Sequence, residues 1–154
     1  MLGLFLKTKA LLVTDPTFEE YSTREKILAI FYTWFEILGQ EREFLTTLEK
    51  IQPWARTASL WNKVKPAFVD WIGEIIDEGV ENREIAGRIV LSSWYKHVIW
   101  MQAMAILSSW LYDKSEEFAR TDALIEKSIT FLFDLIQPNA LDSGWDLVSF
   151  FVKK

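Results

Sequence analysis

The chain has 154 residues, half of them hydrophobic and 15% aromatic, with eight Trp, eleven Phe, no Cys and a net charge of −5. A chain of this length buries roughly two thirds of the surface its unfolded form exposes, enough for one core in one domain. Lys and Arg are scattered, so the phosphate attraction that nucleic-acid binders depend on is missing, and without cysteine there is neither a disulfide frame nor thiolate chemistry, in keeping with a reducing cytoplasm.

Residues 2–13 carry a helical apolar pattern (Leu4, Phe5, Leu11, Leu12) that stops at the turn signal Thr14-Asp15-Pro16. Lys7 and Lys9 lie inside that pattern with no basic leader ahead of it, which argues against a signal peptide. The next helix opens at Ser22, where Glu25 completes a capping box, and runs through Ile27, Leu28, Phe31, Trp34, Phe35 and Leu38 to Gly39. Glu41 to Ile51 is a shorter amphipathic helix with Phe44, Leu45, Leu48 and Ile51 on one side, stopped by Gln52-Pro53. Pro53 suits the first turn of another helix, which carries Leu60, Trp61, Val64, Phe68, Trp71, Ile72, Ile75 and Ile76. Pro66 must kink or divide it, and Gly79 is expected to end it as a left-handed cap.

The stretch Arg83 to Tyr112 contains no proline and as one helix spans roughly 45 Å. It is apolar on most sides, so other helices should enclose it as the central element of a bundle. Arg88, Lys96, His97 and Gln102 interrupt it, and the uncharged part from Val98 to Tyr112 is shorter than the ~20 residues that a membrane span requires. Asp113 to Glu117 offers a turn and a cap, and a helix from about Thr121 to Gln137 follows. That helix has two apolar stripes, Ile125, Ile129, Leu132 and Ile136 beside Leu124, Phe131 and Leu135, which can face two partners. The tail from Leu141 to Val152 repeats the helical pattern. No stretch alternates as a strand does, so the expected fold is all-α, with six or seven helices.

The aromatic content is rich for a monomer and points to a cavity, an oligomer, or both. A cavity is expected where Pro66 breaks the helix bearing Trp61, Phe68 and Trp71, walled by Phe31, Trp34, Phe35 and Leu38 and by Trp94, His97, Trp100, Met101 and Met104. Plain core packing accounts for the same stripes, and both readings stand at this point. His97 is the one histidine, either a core imidazole satisfied by a neighbour or the polar group that orients a ligand. No charged residue on these stripes suits a charged ligand, so an uncharged or weakly acidic apolar molecule is expected. The second stripe, Leu124, Phe131 and Leu135, joined by Trp110 and Leu111, is the expected seam of a homodimer. No metal site, cofactor or enzymatic activity is expected. There is no second histidine, no phosphate loop, no nucleophile elbow and no Ser/His/Asp set. The acidic run Asp70, Glu74, Asp77, Glu78, Glu81 and Glu84 reads as a solvated helix face.

Phe68-Val69-Asp70-Trp71, followed by Ile75-Ile76-Asp77-Glu78-Gly79 and Asn82-Arg83-Glu84-Ile85, resembles the helix junction in C-terminal domains of TetR-family transcriptional regulators, with Arg83 standing where the family often has glycine. Tyr21 to Lys26, Phe31 to Glu36, Thr121 to Ser128, Phe133 to Ile136 and Asn139 to Ser143 resemble one bacterial subgroup, so the likeness covers about residues 17–152. The resemblance implies an all-helical domain that holds an apolar effector between helices and dimerises through its last long helices. Such regulators carry an N-terminal helix-turn-helix head, whereas the residues ahead of Asp15 have room for one helix, expected to be the remnant of a connecting helix over 1–14. No nucleic-acid binding is therefore expected of this chain alone. Two alternatives stay open: a lipid-binding protein of TetR-like fold, similar to those assisting ubiquinone biosynthesis with an isoprenoid ligand, and a pure dimerisation module.

Overall fold

The computed structural model describes residues 1–51, 60–86 and 89–136, with the side chains of residues 89–93 outside the description. These residues form seven α-helices: α1 (Leu2–Val13), α2 (Pro16–Glu20), α3 (Thr23–Gly39), α4 (Arg42–Ile51), α5 (Val64–Glu81), α6 (Ile89–Leu111) and α7 (Ala119–Ile136), with a 3-10 turn at Glu116–Phe118 and no strand among the described residues. The helix start expected at Pro53 and the tail helix over Leu141 to Val152 lie outside the described residues.

Local chemistry explains most of the boundaries. Asp15 ends α1 and starts α2, because its side chain accepts from Thr17 N at 2.9 Å and Pro16 fills the first helical position, where no N–H is needed. Ser22 and Glu25 form the expected capping box of α3. Pro66 does not kink a helix middle. The helix divides, and Pro66 sits in the first turn of α5, where its missing donor costs nothing.

Gly79 is not a cap. α5 continues through it to Glu81, and the left-handed residue is Arg83 at φ 62°. Glu84 N donates to Gly79 O at 2.8 Å and Arg83 N to Val80 O at 3.1 Å, the paired bonds of a Schellman motif. Glycine is required at position 79 by closeness instead: a Cβ there would lie 2.9 Å from Thr23 Cγ2 and 3.1 Å from Ile85 Cδ1. The same Arg83 conformation breaks the expected continuous helix, and the described part of α6 is Ile89–Leu111.

α3 packs against α1, α5 and α7, and α5 lies along α6. Their inward stripes merge into one core that runs from Phe5 to Ile136. Two polar links hold its margins. Lys26 is 3% exposed and its Nζ donates to both Glu78 carboxylate oxygens at 2.8 and 2.9 Å, so the buried charge is compensated. The Glu84 carboxylate accepts from Thr23 N at 2.7 Å and so ties the end of α5 to the start of α3. The acidic run is exposed throughout, with Glu74 also 3.7 Å from Lys9.

Candidate ligand-binding core and pairing face

The ring cluster is centred on Trp34 and Phe68, which are wholly buried. Trp34 meets Phe68 at 5.5 Å and Trp61 at 6.1 Å between ring centroids; Phe68 meets Phe31 at 6.3 Å and Trp100 at 5.3 Å. Phe35, Leu38 and Trp71 are buried in the same core, and Met104 packs against it half-buried. The cluster also contains Phe5 of α1, in contact with Trp34 at 5.3 Å, Phe68 at 5.5 Å and Trp71 at 5.9 Å. Sequence reasoning left Phe5 out of the wall, although its spacing from the buried Thr8 and the half-buried Leu12 marks the inward face of α1.

Three expected wall residues stand elsewhere. Trp94 is 64% exposed, Met101 is 71% exposed and His97 is exposed, so they face outward from α6 and not into the ring cluster. The rings that are brought together meet edge to face or, as Trp34 and Phe68 do, tilted, and the space beside them, lined by Leu45, Leu48, Glu49, Leu60, Trp61, Leu107 and Leu111, amounts to about 10 Å³, room for one water at most. A wider cleft of about 290 Å³ lies on the surface between α1, α2, α3 and α5, where Lys9 Nζ sits 5.2 Å from the Trp71 ring and the Lys26–Glu78 pair forms a wall. Among the described residues no group of three or more His, Cys, Asp or Glu is placed to hold a metal ion. No helix among them is long and apolar enough to cross a membrane.

The outer side of α6 and α7 is apolar as well. The two helices are joined at one end by the turn after Leu111 and at the other by Ala86 N donating to Ile136 O at 3.0 Å, while Gln102 Nε2 donates to Ser128 Oγ at 2.7 Å between them. On that outer side stand Trp94, Val98 and Met101 of α6 and Leu124, Phe131 and Leu135 of α7, the last three between 36% and 64% exposed. Ile125, Ile129, Leu132 and Ile136 are buried, so the two stripes of α7, about a quarter turn apart, differ in exposure. Trp110 and Leu111 do not belong to the outer seam. They are 2% and 5% exposed in the chain's own core, with Trp110 against Phe35 at 5.7 Å and under the Arg42 guanidinium at 5.4 Å.

The turn between these helices is built on Asp113, which is 6% exposed. Its Oδ2 accepts from Thr121 Oγ1 and N, and its Oδ1 from Ser115 N and Oγ. The Thr121 hydroxyl first, and then the Ser115 donors, hold the carboxyl far below the usual aspartate range. Arg42 Nη2 donates to the carbonyls of Trp110, Leu111 and Asp113, which satisfies the C-terminal end of α6.

The family of the chain is given by its sequence. Residues 26–151 match the tetracyclin repressor-like C-terminal domain family, and the chain belongs to that family. No curated protein and no solved structure matches it.

Proposed function

We propose that the chain is the effector-sensing and pairing domain of a TetR-like transcriptional regulator, acting in the cytoplasm as a homodimer and without catalysis. The observation that carries this reading is the division of apolar surface between two uses. The rings of α1, α3, α5 and α6 close around Trp34 and Phe68, while Trp94, Val98, Met101, Leu124, Phe131 and Leu135 are left uncovered on α6 and α7. A ligand that parts the first group and a second copy that covers the second group account for both. The effector is a small apolar molecule, since the rings offer no charged group to pair with a charged one. DNA is reached only through a helix-turn-helix head supplied from elsewhere in a regulator.

Native mass spectrometry of the protein taken from cells, combined with thermal unfolding against a panel of apolar molecules, tests the reading. A dimeric mass and a raised unfolding midpoint with some members of the panel are expected, because a ligand that binds only the folded state stabilises it. A co-purified isoprenoid points instead to the lipid carrier, and indifference to every ligand points to a pairing module with a filled core.

A further inference from the structure

Trp34 is wholly buried, and its Nε1 has no hydrogen-bond partner. Its ring neighbours Phe5, Phe35, Trp61 and Phe68, with centroids between 5.3 and 6.1 Å away, offer the N–H no lone pair. An unpaired buried N–H is costly, and folded proteins rarely retain one. Arg24 Nε and Arg42 Nε are also unpaired, but their guanidinium groups bond through Nη2, to Glu126 and Thr130 in one case and to backbone carbonyls in the other. Trp34 has a single polar atom, and that atom is the orphan. Trp61, in edge contact with Trp34, also lines the small void toward α4 and α6, which places that void one ring away from Trp34.

We infer that Trp34 Nε1 is the specificity-determining donor of the effector site, selecting neutral apolar molecules that carry one hydrogen-bond acceptor, such as a ketone, ester or ether oxygen, over hydrocarbons of the same shape. The inference rests on the reading of the ring cluster as the effector site. The orienting role that the sequence suggested for His97 is left open by its exposure, and Trp34 is placed to take it. A carboxylate is a poor fit there, because Lys26 is already paired with Glu78 and the rings around Trp34 carry no charge.

The test compares benzylacetone with isopentylbenzene, in which a methyl group replaces the carbonyl oxygen, on the full chain and on Trp34→Phe. The phenylalanine keeps an aromatic ring and removes the donor. The ketone-to-hydrocarbon affinity ratio is expected to be about tenfold higher in the wild type than in Trp34→Phe, the effect of one well-formed hydrogen bond, and the ratio cancels the difference in hydrophobicity of the two probes. The indole proton of Trp34, followed by nuclear magnetic resonance in the wild type, is expected to shift downfield with the ketone and not with the hydrocarbon; this readout stands even where the variant fails to fold. Equal ratios in the two proteins, or an indole proton indifferent to the ketone while both probes bind, overturn the donor role and leave the effector site standing. Failure of both probes to bind overturns the effector-site reading, and the donor role with it.

Discussion

Arg83 holds a backbone conformation that glycine adopts freely and that an L side chain adopts at a cost of roughly 1–2 kcal/mol. Nothing in its side-chain surroundings compensates, since Arg83 is exposed. Arg83→Gly is therefore expected to stabilise the domain by about 1 kcal/mol, read as a rise of about 2–4 °C in the unfolding midpoint. Asp113 makes the opposite kind of contribution. Its carboxyl is depressed in the folded chain relative to the ordinary value of 3.8, so the stability it supplies is fully present above that value and is lost as pH falls from there toward the folded pKa. Asp113→Asn turns amide hydrogens toward the donors of Ser115 and Thr121. Denaturant unfolding at neutral pH and at about pH 3 should show the variant well below the wild type at the first, with the gap already narrower at the second and narrowing further as the pH falls. A gap that stays constant with pH sinks the assignment. Asp113 was legible as a turn residue, whereas its reach to Thr121 depends on where the 3-10 turn brings the chain back.

Between elements, the closest fit is that of α5 on α3 at Gly79 and Thr23. Thr23 is 3% exposed and cannot swing into solvent, so Gly79→Ala is expected to cost about 1–3 kcal/mol through overpacking, and Thr23→Ala in the same chain should recover part of that loss. Equal losses in the single and double variants would show that the strain lies elsewhere. From sequence the glycine looks like a cap because Glu-Gly commonly ends a helix, and periodicity carries no information about which side chain lies within reach. Helix starts were legible where a side chain signals them, as at Ser22, and Asp15-Pro16 carried a start signal for α2 that was read only as a stop. The inward face of α6 was not legible for a physical reason. Its sequence is apolar on most sides, so Trp94 and Met101 share the signature of Trp100 and Met104, and only the packing of α5 and α7 decides which of them face in.

At the scale of the whole molecule, the outer apolar face and the core make separable predictions. Phe131→Asp is expected to yield a folded monomer in sedimentation, since a charge cannot be buried unpaired in an isologous seam, and a surviving dimer would place the interface elsewhere. Trp110→Ala should instead cost about 3–5 kcal/mol of folding stability, because that ring is core. The outward stripe of α7 is legible because its two stripes differ by about a quarter turn, while the place of Trp110 depends on Arg42, which lies over its ring. Phe5 gives the arrangement one more property. Phe5 seats α1 on Trp34, Phe68 and Trp71, the rings at the centre of the core. In mechanical terms α1 is a lever whose fulcrum is shared with the wall. Any rearrangement that spreads these three rings also moves the seat of α1.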